Sequence, residues 1–124
     1  MLYVSNAFSF NMFSFVPEVL VQEELTPAEA SELLKKEEFE SVVGHADTAV
    51  ILTNMLHTEI KFNRVSNNFD YGDRILVAQY TGPRLPEGAI SLPEGSKMKF
   101  ILVQPKERKS IGCWYCGPTT VVGL

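Results

Sequence analysis

The sequence has few cysteines, no long hydrophobic run and none of the common motifs that hold phosphates or metals. Two cysteines among 124 residues are too few for a disulfide framework. No apolar stretch reaches the roughly 18 residues that a membrane-spanning helix needs, so we predict no membrane contact. The chain contains no Gly-x-x-x-x-Gly-Lys loop, no Gly-x-Gly-x-x-Gly fingerprint, no His-Glu-x-x-His pair and no EF-hand loop. We therefore expect neither a metal ion nor a cofactor.

Basic side chains are scarce in the first half of the chain. Residues 1–62 hold ten acids and three bases, whereas residues 63–124 hold five acids and eight bases, including every arginine. An anionic ligand should therefore be met mainly by the second half. The formal net charge of -4 argues against a general nucleic-acid coat, and we expect no DNA partner. The uneven charge either marks polyanion binding or reflects a solvated acidic helix.

The composition is that of one ordinary folded domain, with 45% hydrophobic and 21% charged residues. The apolar N-terminus lacks a basic leader and is interrupted by polar residues, so we expect no signal peptide and a cytoplasmic location. Cys113 and Cys116 form one Cys-x-x-Cys pair near the end of the sequence. This pair is half of a zinc site completed by a second subunit, a redox pair, or a structural feature without chemistry.

Hydrophobic periodicity predicts an α/β domain with a mixed sheet of about five strands flanked by helices. The predicted strands cover residues 2–4, 19–22, 60–65, 75–78 and 98–103, and the predicted helices cover residues 27–38 and 46–56. The first helix begins at a capping box, Thr26-Pro27-Ala28-Glu29, with proline at its first position. Residues 75–78 are apolar without interruption, which is typical of a strand buried on both faces.

Polar residues that follow strands or begin a helix are candidates for one site, because ligands in such sheets bind beyond the carboxyl ends of strands. They are Ser9, Asn11, His45, Thr48, Gln79, Arg84 and Glu87. His45 stands at the start of the second helix, where unpaired backbone N–H groups attract phosphate. Alternatively, His45 only packs or forms a structural hydrogen bond.

This set of residues suits the cleavage of a phosphodiester without a metal ion. Such a reaction needs an acid for the leaving oxygen, a group that orients the attacking hydroxyl, and cations for the developing charge. His45 is suited to the acid role, and Glu87 to the base role or to a ribose hydroxyl. Arg84 and Arg64 offer planar forks for phosphate. Alternatively, Arg84 and Glu87 pair with each other across their loop.

Five short segments occur in a characteristic order. They are Val-Ser-Asn-Ala-Phe-Ser-Phe-Asn-Met (4–12), Gly-His-Ala-Asp-Thr (44–48), Asn-Arg-Val (63–65), Gly-Asp-Arg (72–74) and Arg-Leu-Pro-Glu-Gly (84–88). Their spacing resembles that of the viral anti-CRISPR ring nucleases, which act against type III CRISPR defence. The resemblance covers about residues 2 to 104. It predicts a ring-nuclease-like α/β domain over residues 1–105 and a C-terminal tail over residues 106–124.

The resemblance implies a homodimer that binds cyclic tetraadenylate across its two-fold axis. The ring is cleaved without metal when a ribose 2′-hydroxyl attacks the neighbouring phosphodiester, which gives linear diadenylate. His45 matches the general acid, and Glu87 matches the carboxylate that organises the attacking hydroxyl. Two arginines match ligand contacts and four residues match polar lining positions: Arg64, Arg84, Ser9, Asn11, Thr48 and Gln79.

The sequence leaves a second class of function open. The same pocket would also suit a non-catalytic sponge or sensor for a cyclic oligonucleotide, or a protein-interaction module. It also leaves open whether the protein serves a virus or a cell; for a virus, the location would be the host cytoplasm.

Overall fold

Five β-strands and two α-helices make up the fold over residues 1–66 and 68–107, which are the residues described by the computed structural model. In chain order they are β1 (Leu2–Ser5), β2 (Val19–Leu25), α1 (Pro27–Lys36), β3 (Phe39–Ser41), α2 (Ala46–Leu56), β4 (Arg74–Thr81) and β5 (Lys97–Lys106), with one 3-10 turn at Phe10–Met12 between β1 and β2. No helix in these ranges is long and apolar enough to cross a membrane.

The strands form one mixed sheet in the order β2-β5-β4-β1-β3. β1 pairs in parallel with β3 on one side and with β4 on the other, whereas β5 runs antiparallel to both β4 and β2. The prediction of a mixed sheet of about five strands is therefore confirmed. Because β4, β1 and β3 are neighbours that run in the same direction, their carboxyl ends lie side by side at one edge of the sheet.

Helix α1 begins where the capping box predicts. Thr26 Oγ1 accepts a hydrogen bond from the Glu29 backbone N–H at 3.1 Å, and Glu29 Oε1 accepts one from the Thr26 N–H at 2.9 Å. These two bonds satisfy two donors at the start of the segment. The helix ends at Lys36, two residues before the predicted end, because Glu37 has an extended backbone that leads into β3.

Both helices pack on one face of the sheet. Alternate residues of β4 separate the two cores: Leu76 and Ala78 face the helices, and Ile75 and Val77 face the opposite side. All four are buried, as the uninterrupted apolar run predicts. The helix-side core contains Ala30, Leu34, Val43, Ala49, Leu52 and Leu56 against Leu2, Val4, Leu76, Ala78 and Phe100, and the opposite core contains Phe13, Val42 and Phe69 against Ile75, Val77 and Val103.

The predicted strand at residues 60–65 does not form. Within it, Phe62 makes only an isolated bridge with Val43, and Asn63 donates to the Val43 carbonyl from its backbone and to the Ser41 carbonyl from its side chain, each at 2.8 Å. Residues 39–41 instead occupy the edge position beside β1, where Phe39 pairs with Leu2 and Ser41 with Val4. Phe62 remains 55% exposed, so the alternating pattern does not correspond to burial on one face.

The predicted boundary between domain and tail lies at the last residue of β5, which ends at Lys106. Cys113 and Cys116, together with the rest of residues 108–124, lie outside the described residues.

Candidate functional site

A cleft of about 850 Å³ opens at the carboxyl ends of β1, β3 and β4. Asn6 directly follows β1, His45 follows β3 at the start of α2, and Tyr80 stands near the end of β4. The polar lining residues are Asn6, His45, Asp47, Thr48, Tyr80, Arg84 and Glu87. The cleft is within the size range of small-molecule sites, about 300–1,000 Å³, and it lies where α/β sheets usually bind ligands.

His45 is the residue at which α2 begins. Its backbone is extended, with φ -137° and ψ 120°, and its carbonyl accepts the first intrahelical hydrogen bond from the Ala49 N–H at 3.0 Å. The imidazole makes no capping bond to the helix, and its Nδ1 lies 3.4 Å from Thr48 Oγ1. Thr48 is buried, whereas His45 is exposed and lines the cleft, so the imidazole is accessible to a ligand. The backbone N–H groups in the first turn of a helix have no acceptor within the helix, so they favour an anion at this end of α2.

The β4–β5 loop, residues 82–96, brings Arg84 and Glu87 to the start of α2. Two hydrogen bonds attach this loop to the helix: Gly88 N–H donates to Asp47 Oδ2 at 3.2 Å, and Asn54 Nδ2 donates to the Ile90 carbonyl at 2.8 Å. Asp47 and Asn54 are seven residues apart and so lie on the same face of the helix. The loop therefore crosses α2 along that face, and Glu87 is attached to the same helical turn as His45.

The two ends of the β4–β5 loop approach each other closely. Thr81 and Lys97 form the last pair of the β4–β5 ladder, and Gly82 and Ser96 follow it. A Cβ on Gly82 would lie 2.6 Å from Ser96 Cβ, and Gly82 has a φ of 153°. Glycine is therefore required where the loop leaves β4.

Arg84 and Glu87 do not form an ion pair with each other. Within residues 1–66 and 68–107, the ion pairs join Arg74 with Glu37 and the N-terminal ammonium group with Asp73. Both Arg84 and Glu87 are exposed in the cleft. The pairing that the sequence leaves open is thus not adopted in this structure, and both charged groups face the space where a ligand would bind.

Four of the predicted site residues line this one cleft: His45, Thr48, Arg84 and Glu87. Arg64 does not line it, but the Arg64 Cγ lies 3.4 Å from the position of a Cβ on Gly44. The Arg64 stem therefore covers the residue immediately before His45.

The other predicted site residues lie outside this cleft. Ser9 Oγ accepts a hydrogen bond from the Asn11 N–H at 3.2 Å and caps the 3-10 turn, and both residues are exposed. Gln79 lines a second cleft of about 320 Å³ on the opposite face of the sheet, with Val77 and Ile101. The alternation of β4 explains this position, because Ala78 faces the His45 cleft and the next residue faces away.

The structure also assigns site positions to residues that sequence reasoning does not select. Asn6 Oδ1 accepts a hydrogen bond from the Gly44 N–H at 3.2 Å and so holds the backbone before His45. Asn6 directly follows a strand, and this is the same signal that selects Ser9. Asp47 holds the β4–β5 loop, and its seven-residue spacing from Asn54 is the only local sign of that role.

Metal ligands do not cluster in the described part of the chain. No three His, Cys, Asp or Glu side chains within residues 1–66 and 68–107 come together in a group that could hold a metal ion. The described cleft therefore offers proton-transfer and hydrogen-bonding groups, one arginine and two carboxylates.

The fold and the cleft define a small α/β protein with a polar site at the ends of three parallel strands. The chain belongs to the STIV B116-like family, whose model matches residues 2–100. It is similar to B116 of Sulfolobus turreted icosahedral virus, with a TM-score of 0.68 and 26% identity over 83% of this chain and 97% of that one. It is also 40% identical, over 73% of this chain and 75% of the relative, to uncharacterized protein 26 of Sulfolobus islandicus filamentous virus (isolate Iceland/Hveragerdi). Both relatives are viral proteins, and the fold matches that of B116.

Proposed function

We propose that this protein is a metal-independent ring nuclease that cleaves cyclic tetraadenylate and thereby antagonises type III CRISPR defence. The observation that carries the proposal is the meeting of His45, Thr48, Arg84 and Glu87 in one cleft at the start of α2. These residues come from two segments that are distant in the sequence. The sequence resemblance to ring nucleases supports the same assignment.

The proposed reaction is an internal attack within the ring. A ribose 2′-hydroxyl attacks the adjacent phosphorus, the bond from phosphorus to the 5′-oxygen breaks, and a 2′,3′-cyclic phosphate forms. His45 donates a proton to the departing 5′-oxygen, which becomes a hydroxyl. Glu87 accepts the proton of the attacking 2′-hydroxyl as the general base, and Arg84 stabilises the charge on the phosphoryl oxygens. Two such cuts convert the ring into two linear diadenylates.

The small number of basic side chains in the cleft favours a homodimer as the active form. Arg84 is the only arginine or lysine among the described residues that line the cleft, whereas the ring carries four phosphates. A two-fold axis would bring a second Arg84 and a second His45 to the same ligand. Two symmetric acids also suit two cuts per ring. A homodimer predicts a solution mass about twice the 13.9 kDa of the chain, which light scattering coupled to size exclusion measures.

The test of the proposed function is incubation of the purified protein with cyclic tetraadenylate in excess EDTA, followed by chromatography and mass spectrometry. We expect linear diadenylate to accumulate. His45→Ala should abolish cleavage and retain most of the binding, because it removes an interaction that matters mainly in the transition state. His57→Asn is the matched control, since His57 is exposed at the opposite end of α2 and asparagine tolerates its positive φ of 54°.

Three results would contradict the proposal. An intact ring at stoichiometric enzyme would exclude a nuclease, and dependence on a metal would exclude the proposed mechanism. Full activity in His45→Ala would exclude His45 as the acid. Tight binding without turnover would instead assign the cleft to a cyclic-oligonucleotide sponge or sensor.

A further inference from the structure

Asp47 places a carboxylate inside a cleft that would otherwise favour an anion. It is the second residue of α2 and lines the same cleft as His45 and Arg84. A negative charge there opposes phosphate binding, so a phosphate contact does not explain it. Its Oδ2 atom accepts a hydrogen bond from the Gly88 N–H at 3.2 Å.

This hydrogen bond links the two sides of the candidate site. Gly88 is the residue after Glu87, and Asp47 is two residues after His45. One hydrogen bond therefore connects the segment that carries Glu87 with the segment that carries His45. The helix side of the link is rigid, because Leu52 and Leu56 of α2 are both 0% exposed. On the loop side, the Ala89 N–H donates to the Pro86 carbonyl at 3.1 Å and closes the turn that contains Glu87 and Gly88. This bond shapes the turn but does not attach it to the helix. Residues 86–88 are exposed, and the next hydrogen bond to α2 is at Ile90.

We propose that Asp47 is a positioning residue that holds Glu87 at a set distance from His45 through the Gly88 N–H. The proposal rests on the proposed ring-nuclease function and extends it to a residue outside the predicted reaction. The Asp47 Oδ2 atom performs this role by accepting the hydrogen bond, whereas the negative charge of the carboxylate lowers the affinity for an anionic ligand.

A carboxylate in the first turn of a helix has a second effect, because it interacts favourably with the helix dipole. Two substitutions separate these effects. Asp47→Asn keeps an oxygen that accepts the Gly88 hydrogen bond and removes the charge, whereas Asp47→Ala removes both. Glu32→Ala is the matched control for charge, since Glu32 is an exposed carboxylate of α1 outside the cleft.

The first measurement is the steady-state cleavage of cyclic tetraadenylate by the intact variants. We expect Asp47→Ala to lower kcat by about ten- to a hundredfold, the range for a small misplacement of a reacting group, without raising KM. We expect Asp47→Asn to restore kcat to near the wild-type value and to lower KM, because the anion no longer meets a carboxylate. Glu32→Ala should resemble the wild type.

The second measurement does not depend on cleavage. Amide hydrogen exchange at Gly88, followed by NMR in the free protein, should be faster in Asp47→Ala and close to wild type in Asp47→Asn. The positioning role would be overturned if Asp47→Ala had the kcat and the Gly88 exchange rate of the wild type. It would also be overturned if the kcat of Asp47→Asn were as low as that of Asp47→Ala. If the wild type does not cleave the ring, the proposed function fails, and the exchange data still decide whether Asp47 holds the loop.

Discussion

Replacing Gly82 with alanine should destabilise the protein more than alanine at other loop glycines. Gly82 lies where the β4–β5 loop leaves the ladder, opposite Ser96. An added Cβ would lie 2.6 Å from Ser96 Cβ and 2.9 Å from Ser96 Cα. Neither atom is the flexible end of a side chain, so relief requires movement of the backbone.

Two costs set the size of the Gly82→Ala effect. Forcing a methyl group into occupied space typically costs about 1–3 kcal/mol. Holding an L-residue at the φ of Gly82, in a region that glycine adopts and other residues rarely do, costs a further ~1–3 kcal/mol. Alanine also restricts the unfolded chain, which offsets about 0.4–1 kcal/mol. These contributions sum to a loss of about 1–6 kcal/mol in the free energy of unfolding. A central value of about 3 kcal/mol corresponds to a Tm lower by about 10 °C.

Two other glycines isolate these costs. Gly95 has a φ of 82° and no atom within 4 Å of its added Cβ, so Gly95→Ala meets backbone strain alone. We expect that variant to lose about 1 kcal/mol. Gly72 has open space and no positive φ, so Gly72→Ala should be neutral or slightly stabilising.

The assay for the three glycine variants is urea denaturation followed by circular dichroism, with the slope of the transition compared among them. The expected order of stability is Gly72→Ala, then Gly95→Ala, then Gly82→Ala. A Gly82→Ala variant as stable as Gly95→Ala would show that the close approach to Ser96 carries no cost, and the argument from the loop ends would be wrong.

Three further substitutions test other parts of the structure. Leu52→Ala should cost about 2–5 kcal/mol in urea denaturation, because Leu52 is fully buried between α2 and the sheet, and a loss below about 1 kcal/mol would contradict that packing. Thr26→Ala removes one half of the capping box of α1 and should cost about 1 kcal/mol, measured as a lower Tm; an unchanged Tm would show that the cap adds nothing. Thr48→Val keeps the buried shape but removes the hydroxyl 3.4 Å from His45 Nδ1, so kcat for ring cleavage should fall several-fold with KM unchanged, and an unaltered kcat would exclude an orienting role.

The position of Arg64 differs from the one that the sequence predicts. The sequence offers Arg64 as a phosphate ligand, and the structure places its stem over Gly44, beside His45 but outside the cleft lining. Arg64 as a whole is exposed, so its side chain is accessible to solvent.

Local interactions determined the features that the sequence predicted well. The start of α1 depends on Thr26 and Glu29, three residues apart, and α2 covers the apolar stripe that follows His45. The buried strand at 75–78 depends on four consecutive apolar residues. In each case the interacting groups lie within one turn or one short strand, so the pattern of neighbouring residues already contains the necessary information.

Only the tertiary structure decided the pairings between distant segments. Residues 39–41, and not 60–65, occupy the edge beside β1. Only two residues separate this strand from the end of α1, so its position follows from the packing of that helix on the sheet. Strand alternation puts Ala78 and Gln79 on opposite faces, and the packing of both helices on one face of the sheet decides that Ala78 faces the His45 cleft and Gln79 the second cleft. Arg84 and Glu87 line the same cleft as His45, and in that cleft Asp47 accepts a hydrogen bond from Gly88, which is 41 residues away in the chain. The sequence therefore supplied the chemical groups of the site, and long-range contacts selected which of them meet.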